Sequence, residues 1–93
     1  MRPPKTVLPL SLSRASVRFI DTLPAKHYRQ VMRRVIMLMA DPHPADAERL
    51  KGYDYSRVTV GEYRVIFDVQ GGVLRVVAIG KRNDDEVYRR LRG

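Results

Sequence analysis

Three apolar, β-branched segments, "VTV", "YRVIFDVQ" and "VLRVVAIG", follow one another in the second half of the chain with only "GE" and "GG" between them. Two residues are enough to reverse a chain only in a tight β-hairpin, and glycine supplies the positive φ that such turns demand. Strands are therefore predicted over Tyr53 to Val60, Tyr63 to Gln70 and Val73 to Gly80. Gly first and Glu second suits a type II′ turn at Gly61-Glu62.

Turn placement fixes register, and register sorts the side chains by face. Val60 is expected opposite Tyr63, Thr59 opposite Arg64, Val58 opposite Val65 and Arg57 opposite Ile66. Across the second turn, Phe67 falls opposite Val76, Asp68 opposite Arg75 and Arg64 opposite Ile79. One face then carries Val58, Val60, Tyr63, Val65, Phe67, Val69, Leu74, Val76 and Ala78. The other carries Tyr55, Arg57, Thr59, Arg64, Ile66, Asp68, Arg75, Val77, Ile79 and Lys81. Asp68 and Arg75 can neutralise each other across strands, whereas Arg57, Arg64 and Lys81 are expected to lack a partner. Unpaired cations on one face call for an anion, and a phosphate would satisfy them.

The first half reads as helical. Lys5 to Leu12 is expected to be an edge strand, because Pro9 cannot donate to a ladder. Ser13 is placed to cap a helix running to about Leu23, with Leu12, Ser16, Phe19 and Leu23 on one side. Pro24 breaks it. A second helix over Ala25 to Met39 has an apolar stripe of Tyr28, Val31, Met32, Val35, Leu38 and Met39, with Lys26, Arg29 and Arg33 on another face. The two helices make an antiparallel hairpin for the apolar face of the sheet. Asp41 to Ala45, with two prolines, is a loop, and Asn83 with Glu86 fits the cap of a short final helix ending near Leu91. The expected fold is α+β, a small antiparallel sheet with a mixed edge, in a single domain spanning residues 1–93.

Eighteen Lys and Arg against ten Asp and Glu leave a net charge of +8, which selects a polyanionic partner, nucleic acid or an acidic protein. The chain has no cysteine, so disulfides, thiolate metal sites and a cysteine nucleophile are excluded. No apolar run approaches the roughly 20 residues of a membrane-spanning helix, and no leader-like segment precedes Ser13, so a cytoplasmic location is expected.

Conventional catalysts are scarce. His27 and His43 lie away from the charged face, and no Ser/His/Asp set assembles. Asp84, Asp85 and Glu86 fit the first turn of the last helix, where they complement its dipole. "QGG" lacks the continuation of a phosphate loop. What remains is Arg, Lys and Tyr. Guanidinium groups hold phosphate through paired hydrogen bonds and stabilise charge that builds in a transition state, while a tyrosine can stack on a base or pass a proton. Such a set could cleave RNA by aiding attack of a ribose 2′-hydroxyl on the neighbouring phosphate, with neither a cofactor nor a metal ion.

The segment "RLKGYDYSRVTVGEYRVIFDV…VLRVVAIGKRNDDEVYRRL", with the preceding hairpin and "MADPHP", resembles the RelE branch of the RelE/ParE toxin superfamily over nearly the whole chain. "VGEYRVIF" is shared with the gyrase-directed ParE branch, and "GKRNDDEVY" leans toward RelE. The resemblance implies a toxin that enters the ribosomal A site and cuts the bound mRNA, and that a cognate antitoxin blocks. It implies that Arg64 and Arg82 bind phosphate and stabilise the transition state, and that Tyr88 stacks on or orients the nucleotide. Lys81, Lys51, Arg75 and Tyr55 are the expected RNA-binding residues. Where the family often has two basic residues two positions apart, this chain has Arg57 and Thr59. Arginine stays protonated and is a poor base, so the proton-abstracting role is open between Tyr88 and Lys81. Two other readings remain: a ParE-like gyrase inhibitor, and a toxin fold that has lost catalysis and only binds RNA or an antitoxin.

Overall fold

Ser13 is the joint between the two halves of the chain. Its backbone is extended, at φ −65° and ψ 155°, and its hydroxyl oxygen accepts from the Ser16 N–H, capping the first helix. The same hydroxyl donates to the Val77 carbonyl at 3.0 Å, and the Ser13 N–H donates to the Val76 carbonyl. One residue thus starts a helix and ties it to the sheet.

The computed structural model describes residues 7–82. Within them the order is β1 (Leu10–Leu12), α1 (Arg14–Ile20), α2 (Ala25–Ala40), β2 (Glu48–Arg49), β3 (Ser56–Val60), β4 (Tyr63–Gln70) and β5 (Val73–Lys81). The sheet runs β1-β5-β4-β3-β2, antiparallel except for the parallel pairing of β1 with β5. The mixed edge expected from the sequence is therefore present, although within the described residues the first strand covers only Leu10–Leu12; Lys5 and Thr6 of the expected strand lie outside them. The expected final helix lies outside the described residues.

Gly61 has a φ of +56° and no non-glycine residue among those described has a positive φ, which fits the II′ turn expected at Gly61-Glu62. Gly71 and Gly72 are both positive, at 58° and 76°, the pattern of a type I′ turn. With these turns in place, every expected pair between β3 and β4 forms.

Between β4 and β5 the register changes partway. Phe67 faces Val76 and Asp68 faces Arg75 as expected, but Ile66 faces Ala78, leaving Val77 as an extra residue in a β-bulge. The bulge reverses the alternation of everything after it. Ile79 crosses to the helix side and joins the main core, and Ala78 crosses the other way to pack with Ile66 and Leu50. Arg64 consequently faces Gly80 rather than Ile79, and Lys81 shares a row with Tyr63 on the helix side. The Ser13 bond to the Val77 carbonyl holds the bulged residue in place.

The helical hairpin covers the face of Val58, Val65, Phe67, Leu74 and Val76, contributing Ile20, Val31, Val35 and Leu38 to one buried cluster. Of the predicted stripe on α2, Val31, Val35 and Leu38 are buried and Met32 and Met39 pack at its rim, while Tyr28 stays exposed. The other face is not bare. Ile66 and Ala78 are fully buried beneath Leu50, Tyr53, Tyr55 and Val77. Among the described residues no helix is long and apolar enough to cross a membrane.

Ser13→Ala removes a helix cap and the bond that secures the bulge, and each is worth roughly 1 kcal/mol. The midpoint of urea denaturation should fall by the equivalent of about 1–2 kcal/mol, whereas Ser11→Ala, at an exposed position of β1, should leave it within about 0.5 kcal/mol.

Candidate nucleic-acid interface

The face opposite the helices presents side chains in rows about 7 Å apart, two residues along each strand. Nearest the Gly61-Glu62 turn, Thr59, Arg64 and Gly80 lie side by side on β3, β4 and β5. Gly80 places no side chain beside Arg64. One position further out, the Arg82 N–H donates to the Glu62 carbonyl at 2.7 Å, extending the β4–β5 ladder past the strand end. The two arginines of "EYR" and "GKR" are thus brought to the same end of the sheet.

The next row is Glu48, Arg57, Ile66 and Ala78. Here the expectation of an unpartnered Arg57 fails. An Nη2–H of Arg57 donates to Glu48 Oε2 at 2.8 Å, with the carboxylate largely exposed and the guanidinium about one quarter exposed. Sequence reasoning missed Glu48 because a two-residue strand carries no periodicity to detect. Nor is Arg64 without contacts of its own. The face is therefore less bare than its composition suggests.

In the third row Asp68 and Arg75 form the expected pair, through two N–H donors of the guanidinium to the two carboxylate oxygens. The hydrogen bond that Arg75 donates to Asp68 pushes the Arg75 pKa above its ordinary value, opposed by partial burial and helped by the charge of Asp68 and by Tyr55. Any anion would thus reach Arg75 only in competition with Asp68. Tyr55 stacks on Tyr53 at 6.4 Å and 26°, an aromatic pair that also roofs Ile66. Lys51 is exposed in the turn just after β2.

Of the sequence-predicted residues, Arg64 and Arg57 gather toward one end of the face, with Arg82 at the same end of the sheet. Tyr55, Arg75 and Lys51 gather at the other, about 14 Å away for the four residues from Arg64 to Asp68. The bulge takes Lys81 off this face. Tyr88 lies outside the described residues. Beside the Asp68 end, an open groove of about 450 Å³ is lined by His43, Arg49, Asp54 and Gln70.

A second connection escaped sequence reasoning. His27 Nδ1 and the Tyr63 hydroxyl share a hydrogen bond of 2.7 Å, and Tyr63, nearly buried, meets the rings of His27 and Phe19 edge to face. Tyr63 precedes Arg64, so this bond links the base of the arginine's strand to α2. A tyrosine in an apolar face that also bears a hydroxyl is the signal for such a bond. Tyr63→Phe should cost about 0.5–1.5 kcal/mol of stability, and a double-mutant cycle with His27→Ala should assign most of that loss to the pair.

A family model described as ParE toxin of type II toxin-antitoxin system, parDE, matches residues 12–86. Among solved structures, the RelE–RelB complex of Pyrococcus horikoshii OT3 contains a chain similar to this one with a TM-score of 0.74. The identity is 26%, over 84% of this chain and 98% of that one. A mutant of the E. coli toxin RelE in the free state gives a TM-score of 0.76 at 19% identity, over 91% and 94% of the two chains. The intact E. coli RelBE toxin–antitoxin complex gives 0.70 at 18% identity, over 83% and 99%. No curated protein sequence matches the chain. With its fold shared with RelE toxins and four fifths of its length matched by the family model, the chain belongs to the ParE toxin family of the RelE/ParE superfamily.

Proposed function

We propose that the protein is the toxin of a type II toxin–antitoxin module and acts as a metal-independent, ribosome-dependent mRNA endonuclease in the cytoplasm. The observation that carries this reading is the convergence of Arg64 and Arg82 at one end of the sheet, with Gly80 leaving room beside Arg64. The two guanidiniums would hold the scissile phosphate and stabilise the charge that develops as the ribose 2′-oxygen attacks it. Tyr88 would orient the nucleotide. Lys51, Tyr55 and Arg75 lie where they would follow the strand further along the same face, and Lys81, on the other side, would serve RNA only from the rim.

The partner would be a cognate antitoxin, as in the complexes of RelE with RelB that share this fold. The solvent side of α2 suits an acidic, amphipathic segment. Ile36 and Met37 are more than half exposed there, and Arg33 and Arg34 line a shallow groove with Met37 and Val60. The whole chain, residues 1–93, would act as one domain.

A gyrase inhibitor is the second reading, and the ParE description of the family model favours it. "GKR" followed by "VY" favours RNA cleavage. Purified protein added to ribosomes programmed with a defined mRNA should produce cuts at the A-site codon and none in the same mRNA without ribosomes, as mapped by primer extension. Arg64→Ala and Arg82→Ala should each reduce cleavage at least 100-fold with melting temperatures close to wild type. Absence of cuts together with inhibition of supercoiling would establish the gyrase reading instead.

A further inference from the structure

Cleavage through a 2′-hydroxyl needs a group to take its proton, and among the described residues those at the expected positions do not provide one. Arg57 stays protonated, Thr59 is a hydroxyl far from basic, and the bulge carries Lys81 to the other side of the sheet. The described part of this face nevertheless holds carboxylates. Asp68 is committed with both oxygens to Arg75 and is only 12% exposed. Asp54 is fully exposed in the turn and loosely paired with Arg49 at 3.4 Å. Glu48 differs from both. It is two-thirds exposed, and Arg57 fixes it at 2.8 Å, two residues along the sheet from the row of Arg64.

We propose that Glu48 is the general base of RNA cleavage, held in position by Arg57. The inference rests on the endonuclease reading above. Glu48 and Arg64 are separated by two strand spacings and two residues along β4, on the order of 12 Å between Cα positions. Their side chains extend over the same face and bracket the length of a sugar–phosphate unit. An ionised carboxylate has about four lone-pair sites, and the bond from Arg57 uses one, so a 2′-hydroxyl can donate to another.

In the step, the 2′-O–H bond breaks and its proton passes to the Glu48 carboxylate. The 2′-oxygen bonds to phosphorus, the P–O5′ bond breaks, and the 5′-oxygen takes a proton from water. The products are a 2′,3′-cyclic phosphate and a 5′-hydroxyl, and the base regains its charged form by losing its proton to solvent. Arg57, unsuited as a base, is a positioning residue for Glu48 and a second cation near the phosphate.

Glu48→Gln tests this directly, because the amide oxygen can still accept from Arg57 but cannot take a proton. In the programmed-ribosome assay kcat should fall by about 10²- to 10⁴-fold with KM within about threefold. The acid-side limb of the pH–rate profile should disappear. Asp54→Asn should leave kcat and profile unchanged, and circular dichroism melts should show both variants folded. Wild-type kcat in Glu48→Gln, or a raised KM with kcat and profile retained, would overturn the assignment and leave Glu48 as a partner of Arg57 only. A wild-type protein that binds programmed ribosomes without cutting would instead remove the endonuclease reading, and this inference with it.

Discussion

Strand β4 must be covered on both faces, and the rest of the structure is arranged around that requirement. It is hydrogen-bonded to β3 on one side and β5 on the other, and its consecutive residues Val65, Ile66 and Phe67 are all buried. Since alternate residues point to opposite faces, such a run cannot be satisfied by one covering layer. The helical hairpin covers Val65 and Phe67. Ile66 has to find a second cover, and Leu50, Tyr53 and Tyr55 supply it by folding the 50–55 turn back over the sheet. That turn is held by a bond from the Leu50 N–H to the Tyr55 carbonyl, and the chain entering it forms β2 at the edge of β3. Burial of Ile66 is therefore what carries Glu48 to Arg57, and the chemistry of the face inherits its geometry from a hydrophobic demand.

The bulge at Val77 resolves a related conflict. β1 lies parallel to β5 and needs Leu10 and Leu12 matched to Leu74 and Val76, while the far half of β5 must bring Ile79 under the helices beside Val65. Strict alternation would place Val76 and Ile79 on opposite faces. One extra residue puts both in the main core and sends Ala78, the smallest side chain of the run, to the shallower cluster around Ile66. The bulged carbonyl accepts from Ser13, the residue that also starts α1. The position of the helical hairpin and the phase of β5 are thus coupled through Ser13, by its hydroxyl and its N–H.

These particulars mark where the sequence could be read. Glycines at Gly61 and at Gly71-Gly72 announce hairpins whose short loops leave little freedom of register, so the β3–β4 pairing and the Asp68–Arg75 pair were legible. So were α2 and the Ser13 cap, because helical period and cap chemistry are local. The bulge was not, since "VLRVVAIG" is apolar at nearly every position and a shift by one residue leaves no visible break in its alternation. β2 was not legible either, because two residues have no period, and with it went the partner of Arg57. For the candidate site, the resemblance identified Arg64 and Arg82, and the fold brings both to one end of the sheet. What neutralises, displaces or positions each charge depended on the two features without a local signal.

Charge is distributed unevenly between the two layers. On the sheet face Arg57 is paired with Glu48 and Arg75 with Asp68. Helices α1 and α2 carry Arg14, Arg18, Lys26, Arg29, Arg33 and Arg34 and not one acidic residue, and among the described residues only Arg34 of these forms an ion pair, with Asp46. Attraction of a polyanion at a distance depends on net charge, whereas discrimination at close range depends on how each group is already satisfied. The helix layer thus supplies much of the long-range field, while any anion on the sheet face would have to displace or accommodate Glu48 and Asp68 to be held there. Paired cations bind random polyanion less readily than bare ones, because each new bond to a phosphate replaces one already made to a carboxylate. On the proposed reading, the same pairing would favour a substrate whose phosphates and hydroxyls fall opposite both the cations and the carboxylate.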